Sequence, residues 1–144
     1  EQRWKEEAIH NLCNSYVKLA PSKVEGVGVF ALRDIPEGAV VMRWDWYRYA
    51  STSIESEELK RRVPSEVYDQ LKHIWHVDRG DNVITPLDFT ATVSYVNFLN
   101  HADEPNLRYW DSDNTYTAAR DICCGEELCI NYNLDYYPGY TKLF

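Results

Sequence analysis

The chain has 144 residues, of which 44% are hydrophobic, and this is enough for one buried core in a single domain. A formal net charge of -8 argues against binding to nucleic acid phosphates and favours basic partners such as lysine-rich segments. No segment approaches the roughly 18 apolar residues of a membrane-spanning helix, and the first ten residues are charged, which predicts a soluble intracellular protein. Residue 1 is Glu rather than Met, and an excised domain and a trimmed chain are both open interpretations.

The four cysteines are too few for a disulfide framework, and we expect them to be reduced thiols. A structural zinc site needs two pairs of closely spaced ligands, and the cysteines and histidines of this chain do not provide them. The sequence therefore predicts no metal site.

Six short segments are rich in β-branched and aromatic residues and lie between turn-forming residues, which predicts strands. They are residues 16–19, 27–32, 39–44, 107–110, 115–119 and 127–131. The first three follow one another through short turns and are predicted to form a β-meander. The four turn-forming residues 111–114 predict a hairpin between the fourth and fifth segments.

One stretch has the period of a helix instead. After Pro64 the apolar residues recur with helical spacing at Val67, Tyr68, Leu71, Ile74 and Trp75. Pro64 suits the start of this helix, Gly80 suits its end, and residues 57–62 are predicted to form another helical turn. The predicted fold class is mainly β with a short helical insert, rather than an alternating βαβ architecture.

Two glycines, Gly26 and Gly28, open the second predicted strand, where bulky side chains are usual. Glycine at such positions allows a positive φ or the close approach of a ligand to the backbone, and an ordinary turn with a bulge remains an equal alternative.

Residues 95–106 place several amides and an imidazole beside apolar residues. Buried polar groups of this kind must find hydrogen-bond partners, so they either brace irregular backbone or hold a polar ligand. For the His101 side chain we favour the structural role. The third unusual segment, residues 125–132, is followed by Tyr136, Tyr137 and Tyr140, and simple packing of tyrosines at a domain end is the alternative there.

The order of these segments resembles the SET-domain protein-lysine methyltransferases, especially their minimal bacterial and viral members without a zinc-binding post-SET segment. The family has G-x-G, then N-H-S-x-x-P-N, then G-E-E-L followed by a tyrosine. Here these motifs stand at 26–28, 100–106 and 125–128, and the tyrosine is Tyr132. Asn97 stands where the family commonly has arginine, and Ala102 stands where it has serine.

The resemblance implies a fold of small curved antiparallel sheets with a C-terminal pseudoknot. It implies an N-terminal flanking helix or extension at 1–15, a SET domain at 16–137 with a variable helical insert at 54–88, and a tail at 138–144.

The resemblance also implies that the chain transfers a methyl group from the cofactor S-adenosylmethionine to a lysine side chain. It assigns Tyr132 to the methyl-transfer point. The implied cofactor-binding residues are Gly26, Val27, Gly28, Asn100, His101 and Tyr137. The implied lysine channel is lined by Tyr95, Tyr132, Tyr136 and Tyr140.

The expected substrate is a lysine-containing basic protein, with a histone tail as the first candidate and a non-histone protein as the alternative. A catalytically silent SET-like binding module is a further alternative, suggested by Asn97 and Ala102. The viral relatives indicate a homodimer as a candidate assembly. A nuclear location is expected for a eukaryotic or viral protein, and a cytoplasmic one otherwise.

Overall fold

The computed structural model describes residues 2–44, 51–74, 81–86 and 94–135. The helices are α1 (Gln2–Cys13), α2 (Ser56–Arg62), α3 (Ser65–Ile74), α4 (Tyr132–Asp135) and a 3-10 helix (Tyr95–Phe98). The strands are β1 (Val17–Pro21), β2 (Val27–Ala31), β3 (Val40–Arg43), β4 (Ser51–Glu55), β5 (Asn82–Pro86), β6 (Asn100–His101), β7 (Leu107–Trp110), β8 (Thr115–Ala118) and β9 (Glu127–Ile130). None of the helices in these ranges is long and apolar enough to cross a membrane.

The mainly β fold class is confirmed. All six predicted strands form, with ends that differ from the predictions by at most two residues, and the predicted helices appear as α2 and α3. The last predicted residues of the second helix, 75–80, lie outside the described residues. The sequence analysis missed the antiparallel pair of β4 and β5, because strand β4 reads Ser-Thr-Ser-Ile-Glu and lacks an apolar alternation.

The predicted β-meander is wrong. Strands β1 and β2 form an antiparallel hairpin, but β2 then pairs with β9, and β3 pairs with β8 in a second sheet. The contacts of the connection between β2 and β3 explain why these two strands lie in different sheets. Within it, the backbone groups of Ile35 and Ile122 exchange two hydrogen bonds of 2.8 and 2.9 Å, which ties this connection to the one before β9.

Strand β9 is an inner strand of the sheet β1-β2-β9-β6. Its residues Leu128, Cys129 and Ile130 are all buried, as expected for a strand covered on both faces. The pairing with β2 is antiparallel, whereas β6 runs parallel to β9, which departs from the expected all-antiparallel sheets. A late segment therefore lies between two earlier ones, as the expected pseudoknot requires, while the path of the chain after residue 135 lies outside the described residues.

The buried side chains form two separate clusters. The larger one lies between the two main sheets and includes Val29, Ile35, Leu99, Leu107, Tyr116, Ile122, Leu128 and Ile130. The smaller one joins Leu59 of α2 to Val83 of β5. The helical insert therefore packs on the smaller cluster, whereas β2, β6 and β9 pack on the larger one.

Asn106 connects β9 to the start of β7. Its side chain is buried, its Nδ2 donates to the carbonyl oxygen of Glu127 at 2.8 Å, and its Oδ1 accepts from the backbone N–H of Cys129 at 2.9 Å. One side chain thus satisfies two backbone groups of β9 that would otherwise be buried without partners.

Replacing Asn106 by alanine should lower the free energy of unfolding by about 2 to 4 kcal/mol, because both backbone groups of β9 lose their partner. Urea denaturation measures this value. The matched control is Asn14→Ala, which removes an exposed hydrogen bond to the carbonyl of His10 and should cost less than about 0.5 kcal/mol. Equal stability losses for the two variants would contradict the role of Asn106 as a hydrogen-bond partner of the β9 backbone.

Candidate active site

The loop between β1 and β2 is folded around Ser22. The Ser22 hydroxyl accepts hydrogen bonds from the backbone N–H groups of Val24 at 2.9 Å and Glu25 at 3.3 Å. The backbone N–H of Ser22 donates to the carbonyl of Gly26 at 2.8 Å. Gly26 has a φ of +49°, and no atom lies within 4 Å of the position where a Cβ would stand. The loop is therefore fixed internally and leaves open space beside Gly26.

Gly28 has a different role. A Cβ at this position would lie 2.0 Å from Oε1 of Glu127 and 3.1 Å from the Cβ of Ser22. The pairing of β1 with β2 runs without interruption through Gly28, so the alternative of a bulge is wrong. The group that closely approaches the Gly28 backbone is the Glu127 side chain from β9.

Asn100 joins the loop to β9. Its side chain is buried, and its Nδ2 lies within hydrogen-bond distance of Ser22 Oγ at 3.1 Å, the carbonyl oxygen of Glu25 at 3.1 Å and Glu127 Oε1 at 3.2 Å. Strand β6 holds Asn100 in position through its parallel pairing with Cys129. The Asn100 amide therefore contacts both β9 and the loop between β1 and β2, residues 22–26, which we call the glycine loop.

His101 follows Asn100 and braces the backbone at the end of β9. Its Nδ1 accepts from the backbone N–H of Tyr132 at 3.1 Å, so the ring proton is on Nε2, which lies 3.0 Å from Oδ1 of Asp103. The His101 and Tyr132 rings also pack with their centroids 5.2 Å apart. These contacts give the imidazole the structural role that the sequence favours.

Tyr132 is held at both ends. Its backbone N–H bonds to His101, and its hydroxyl donates to the carbonyl oxygen of Leu99 at 2.5 Å. Burial raises the pKa of the Tyr132 phenol, and the nearby charges of Glu25, Cys129 and Glu127 raise it further. The phenol is therefore neutral across the physiological pH range.

The structure brings five of the sequence-predicted site residues into one neighbourhood: Gly26, Gly28, Asn100, His101 and Tyr132. Val27 lies between the two glycines and is largely exposed. Tyr95 is exposed at the start of the 3-10 helix that leads to β6. Tyr136, Tyr137 and Tyr140 lie outside the described residues.

The two positions that depart from the family motif are both accommodated locally. Asn97 is buried, and its Oδ1 accepts from the backbone N–H of Ser94 at 2.9 Å, which caps the 3-10 helix. The backbone N–H of Ala102 donates to the carbonyl of Ile130 at 3.0 Å and extends the pairing of β6 with β9. Neither substitution interrupts the backbone around Asn100.

Sequence reasoning missed two site residues: Ser22 and Glu127. Ser22 stands in a loop with ordinary turn composition, so its sequence context carried no signal. Glu127 could have been found from strand alternation, because adjacent side chains of a strand point to opposite faces. Its neighbour Glu126 binds Arg120 on the outer side, at 3.0 Å, which directs Glu127 toward Gly28. Within the described part of the chain, no three His, Cys, Asp or Glu residues form a group that could hold a metal ion.

A family model for the SET domain matches residues 26–133. Histone-lysine N-methyltransferase, H3 lysine-36 specific, from Candida albicans is 26% identical over 134 residues, which cover 89% of this chain and 15% of that protein. Histone-lysine N-methyltransferase 2D from Homo sapiens is 27% identical over 133 residues, which cover 88% of this chain and 2% of that protein. The chain thus spans a small fraction of the curated relatives it matches.

A solved structure, "ctPRC2 in an autoinhibited conformation bound to S-adenosylmethionine", superimposes with a TM-score of 0.53 at 26% sequence identity. The match covers 84% of this chain and 15% of the other. Another, the "Humanized mutant of the Chaetomium thermophilum Polycomb Repressive Complex 2 bound to the inhibitor GSK126", gives a TM-score of 0.54 at 23% identity and covers 90% of this chain and 18% of the other. The second likeness concerns the fold alone.

All four cysteines are free, and Cys129 is the buried one. Burial, with a smaller effect of the Glu127 charge, raises the pKa of the Cys129 thiol to about 11. The folded state therefore keeps a proton that the unfolded chain releases above about pH 8.5. The resulting stabilisation is complete below that pH and is lost as the pH rises toward the folded-state pKa.

We expect wild type to lose about 1 to 2 kcal/mol more unfolding free energy than Cys129→Ala between about pH 8 and about pH 10.5. Chemical denaturation at the two pH values measures the difference. Cys123→Ala removes an exposed thiol, and its unfolding free energy should fall as much as that of wild type between the two pH values. If Cys129→Ala shows the same pH dependence as wild type, the buried thiol is not the titrating group.

Proposed function

Because this chain belongs to the SET-domain family, we propose that it is a protein-lysine N-methyltransferase that uses S-adenosylmethionine as its methyl donor. The observation that carries this proposal is the meeting of three segments that are distant in sequence. Asn100 donates to the Glu25 carbonyl in the glycine loop, and the Tyr132 hydroxyl donates to the carbonyl of Leu99, one residue before Asn100. The matched relatives are named histone-lysine N-methyltransferases, which supports the same activity.

The residues at this point suit the proposed cofactor. Its methionine part carries an ammonium and a carboxylate, and it needs both hydrogen-bond partners and space beside the backbone. Gly26 leaves such space, and the Asn100 amide and the Glu127 carboxylate supply polar groups. We assign Gly26, Val27 and Gly28 to the methionine part of the cofactor, and Asn100 and His101 to its amino and adenine groups. Tyr137 is a further cofactor-binding residue in this proposal.

When bound, S-adenosylmethionine supplies a methyl group on a sulfonium, so the protein does not need a nucleophile of its own. What the chain must provide is alignment of the two reactants and exclusion of water. Tyr132 suits this task because its hydroxyl is fixed on Leu99 and its phenol stays neutral. The aromatic ring stabilises a nearby cationic amine by about 0.5 to 2 kcal/mol. We propose Tyr95, Tyr136 and Tyr140 as further residues of the lysine channel.

The proposed substrate is a lysine in a basic protein. The net charge of -8 attracts cationic peptides. A histone tail is the first candidate, because the matched relatives are named for histone lysines, and this would place the protein in a nucleus. Another basic protein is the alternative, and the expected homodimer stays a prediction.

A catalytically silent SET-like module is the second candidate function. It is favoured by Asn97 and Ala102, which replace the residues common in the family. Methylation of a mixture of lysine-containing peptides separates the two functions, because an enzyme forms methylated product whereas a silent module captures peptide without product.

Replacing Tyr132 by phenylalanine should reduce the methyl-transfer rate at least about tenfold, because the ring loses the hydrogen bond that orients it. The affinity for S-adenosylmethionine should change much less. Transfer of radiolabelled methyl groups to histones measures the rate, and calorimetry measures the affinity.

Tyr16→Phe is the matched control for this experiment. Tyr16 packs at the edge of the larger cluster with Arg33 4.4 Å above its ring, and it lies outside the candidate site. The control should keep the wild-type rate. An unchanged rate for Tyr132→Phe would remove Tyr132 from the proposed reaction.

Replacing Asn100 by alanine should weaken S-adenosylmethionine binding by about 1 to 3 kcal/mol, because a buried amide that joins the glycine loop to β9 is lost. Isothermal titration calorimetry measures the change. Asn11→Ala, on the exposed surface of α1, should bind as wild type does. Equal affinities for the two variants would exclude Asn100 from the cofactor site.

A further inference from the structure

The Glu127 carboxylate reaches into the candidate site from β9. It is partly buried, it lies over the Gly28 backbone, and its Oε1 accepts a hydrogen bond from Asn100 at 3.2 Å. A side chain at position 28 would overlap the carboxylate, which would then have to move away from this place. Glycine at position 28 therefore admits Glu127 to the site.

Glu127 has no cationic partner in the part of the chain that the structure describes. The salt bridges there join Arg62 to Glu58 and Arg120 to Glu126. The neutral amide of Asn100 donates a hydrogen bond to Oε1, one of the two carboxylate oxygens of Glu127. A cation that enters this point therefore gains a partly buried carboxylate that no described Lys or Arg side chain pairs with.

A lysine substrate is a poor match for this carboxylate. Methyl transfer requires the neutral amine, and a carboxylate beside it would favour the charged ammonium form. A sulfonium carries no hydrogen that could be donated to Glu127. An α-ammonium group offers both positive charge and N–H donors, which is the pairing that gives the strongest hydrogen bonds of a carboxylate.

We propose that Glu127 is the cofactor-binding residue that pairs with the α-ammonium group of S-adenosylmethionine. This inference rests on the proposed function, because it assumes that the cofactor binds between the glycine loop and Asn100. Glu127 would then select cofactors that carry an intact amino acid part.

The test compares two ligands by calorimetry. S-adenosylhomocysteine carries the α-ammonium but no sulfonium, whereas 5′-methylthioadenosine lacks the whole amino acid part. Glu127→Gln removes the charge but retains the shape and an oxygen that accepts from Asn100. This variant should bind S-adenosylhomocysteine about tenfold more weakly than wild type does, and 5′-methylthioadenosine with an affinity within about twofold of wild type.

Glu126→Gln is the matched control, because it removes the same charge one residue earlier, where the side chain binds Arg120 outside the site. It should bind both ligands within about twofold of wild type. A parallel loss of both ligands in Glu127→Gln would indicate general damage to the site and would overturn the proposal.

Three further results would also overturn it. These are unchanged S-adenosylhomocysteine affinity in Glu127→Gln, a loss confined to S-adenosylmethionine, and a loss confined to the KM for the peptide. All three leave the proposed function intact, since wild type still binds the cofactor. If wild type binds neither S-adenosylhomocysteine nor 5′-methylthioadenosine, the proposed function fails together with this inference.

Discussion

The position of β9 between β2 and β6 is the constraint on which the candidate site depends. Strand β9 carries Glu127 at its start and delivers Tyr132 just beyond its end, while β2 presents Gly28 and β6 presents Asn100. Asn106 fixes β9 from the side through two of its backbone groups. A shift of β9 by one residue would turn its side chains to the opposite faces and separate these groups.

The same arrangement creates an unusual electrostatic environment around Tyr132. Two carboxylates, Glu25 and Glu127, lie close to the partly buried phenol, and both raise its pKa. A neutral hydroxyl can donate to the Leu99 carbonyl, whereas a phenolate could not. Burial and negative charge thus extend to higher pH the range in which the hydroxyl can donate this hydrogen bond, and the site presents negative charge to cationic ligands.

The local elements could be predicted from the sequence, but the contacts between distant segments could not. The hairpin of β7 and β8 follows from the turn residues 111–114, and α3 follows from its apolar period. The pairing of β3 with β8 has no local signal, and β6 is only two residues long, which is too short for any pattern. The motif order indicated that Gly28, Asn100 and Tyr132 belong to one site, whereas the approach of Glu127 to Gly28 depends on the register of β2 and β9.

The long sequence distance between partners also determines when this site can form. The hydrogen bond between Asn100 and Ser22 spans 78 residues, and β2 acquires its second neighbour only when β9 is present. During synthesis, the β1–β2 hairpin therefore leaves the ribosome long before the strand that covers its edge. Until then the nascent chain exposes an unpaired, largely apolar strand edge, which is the kind of surface that recruits chaperones or other copies of the same chain.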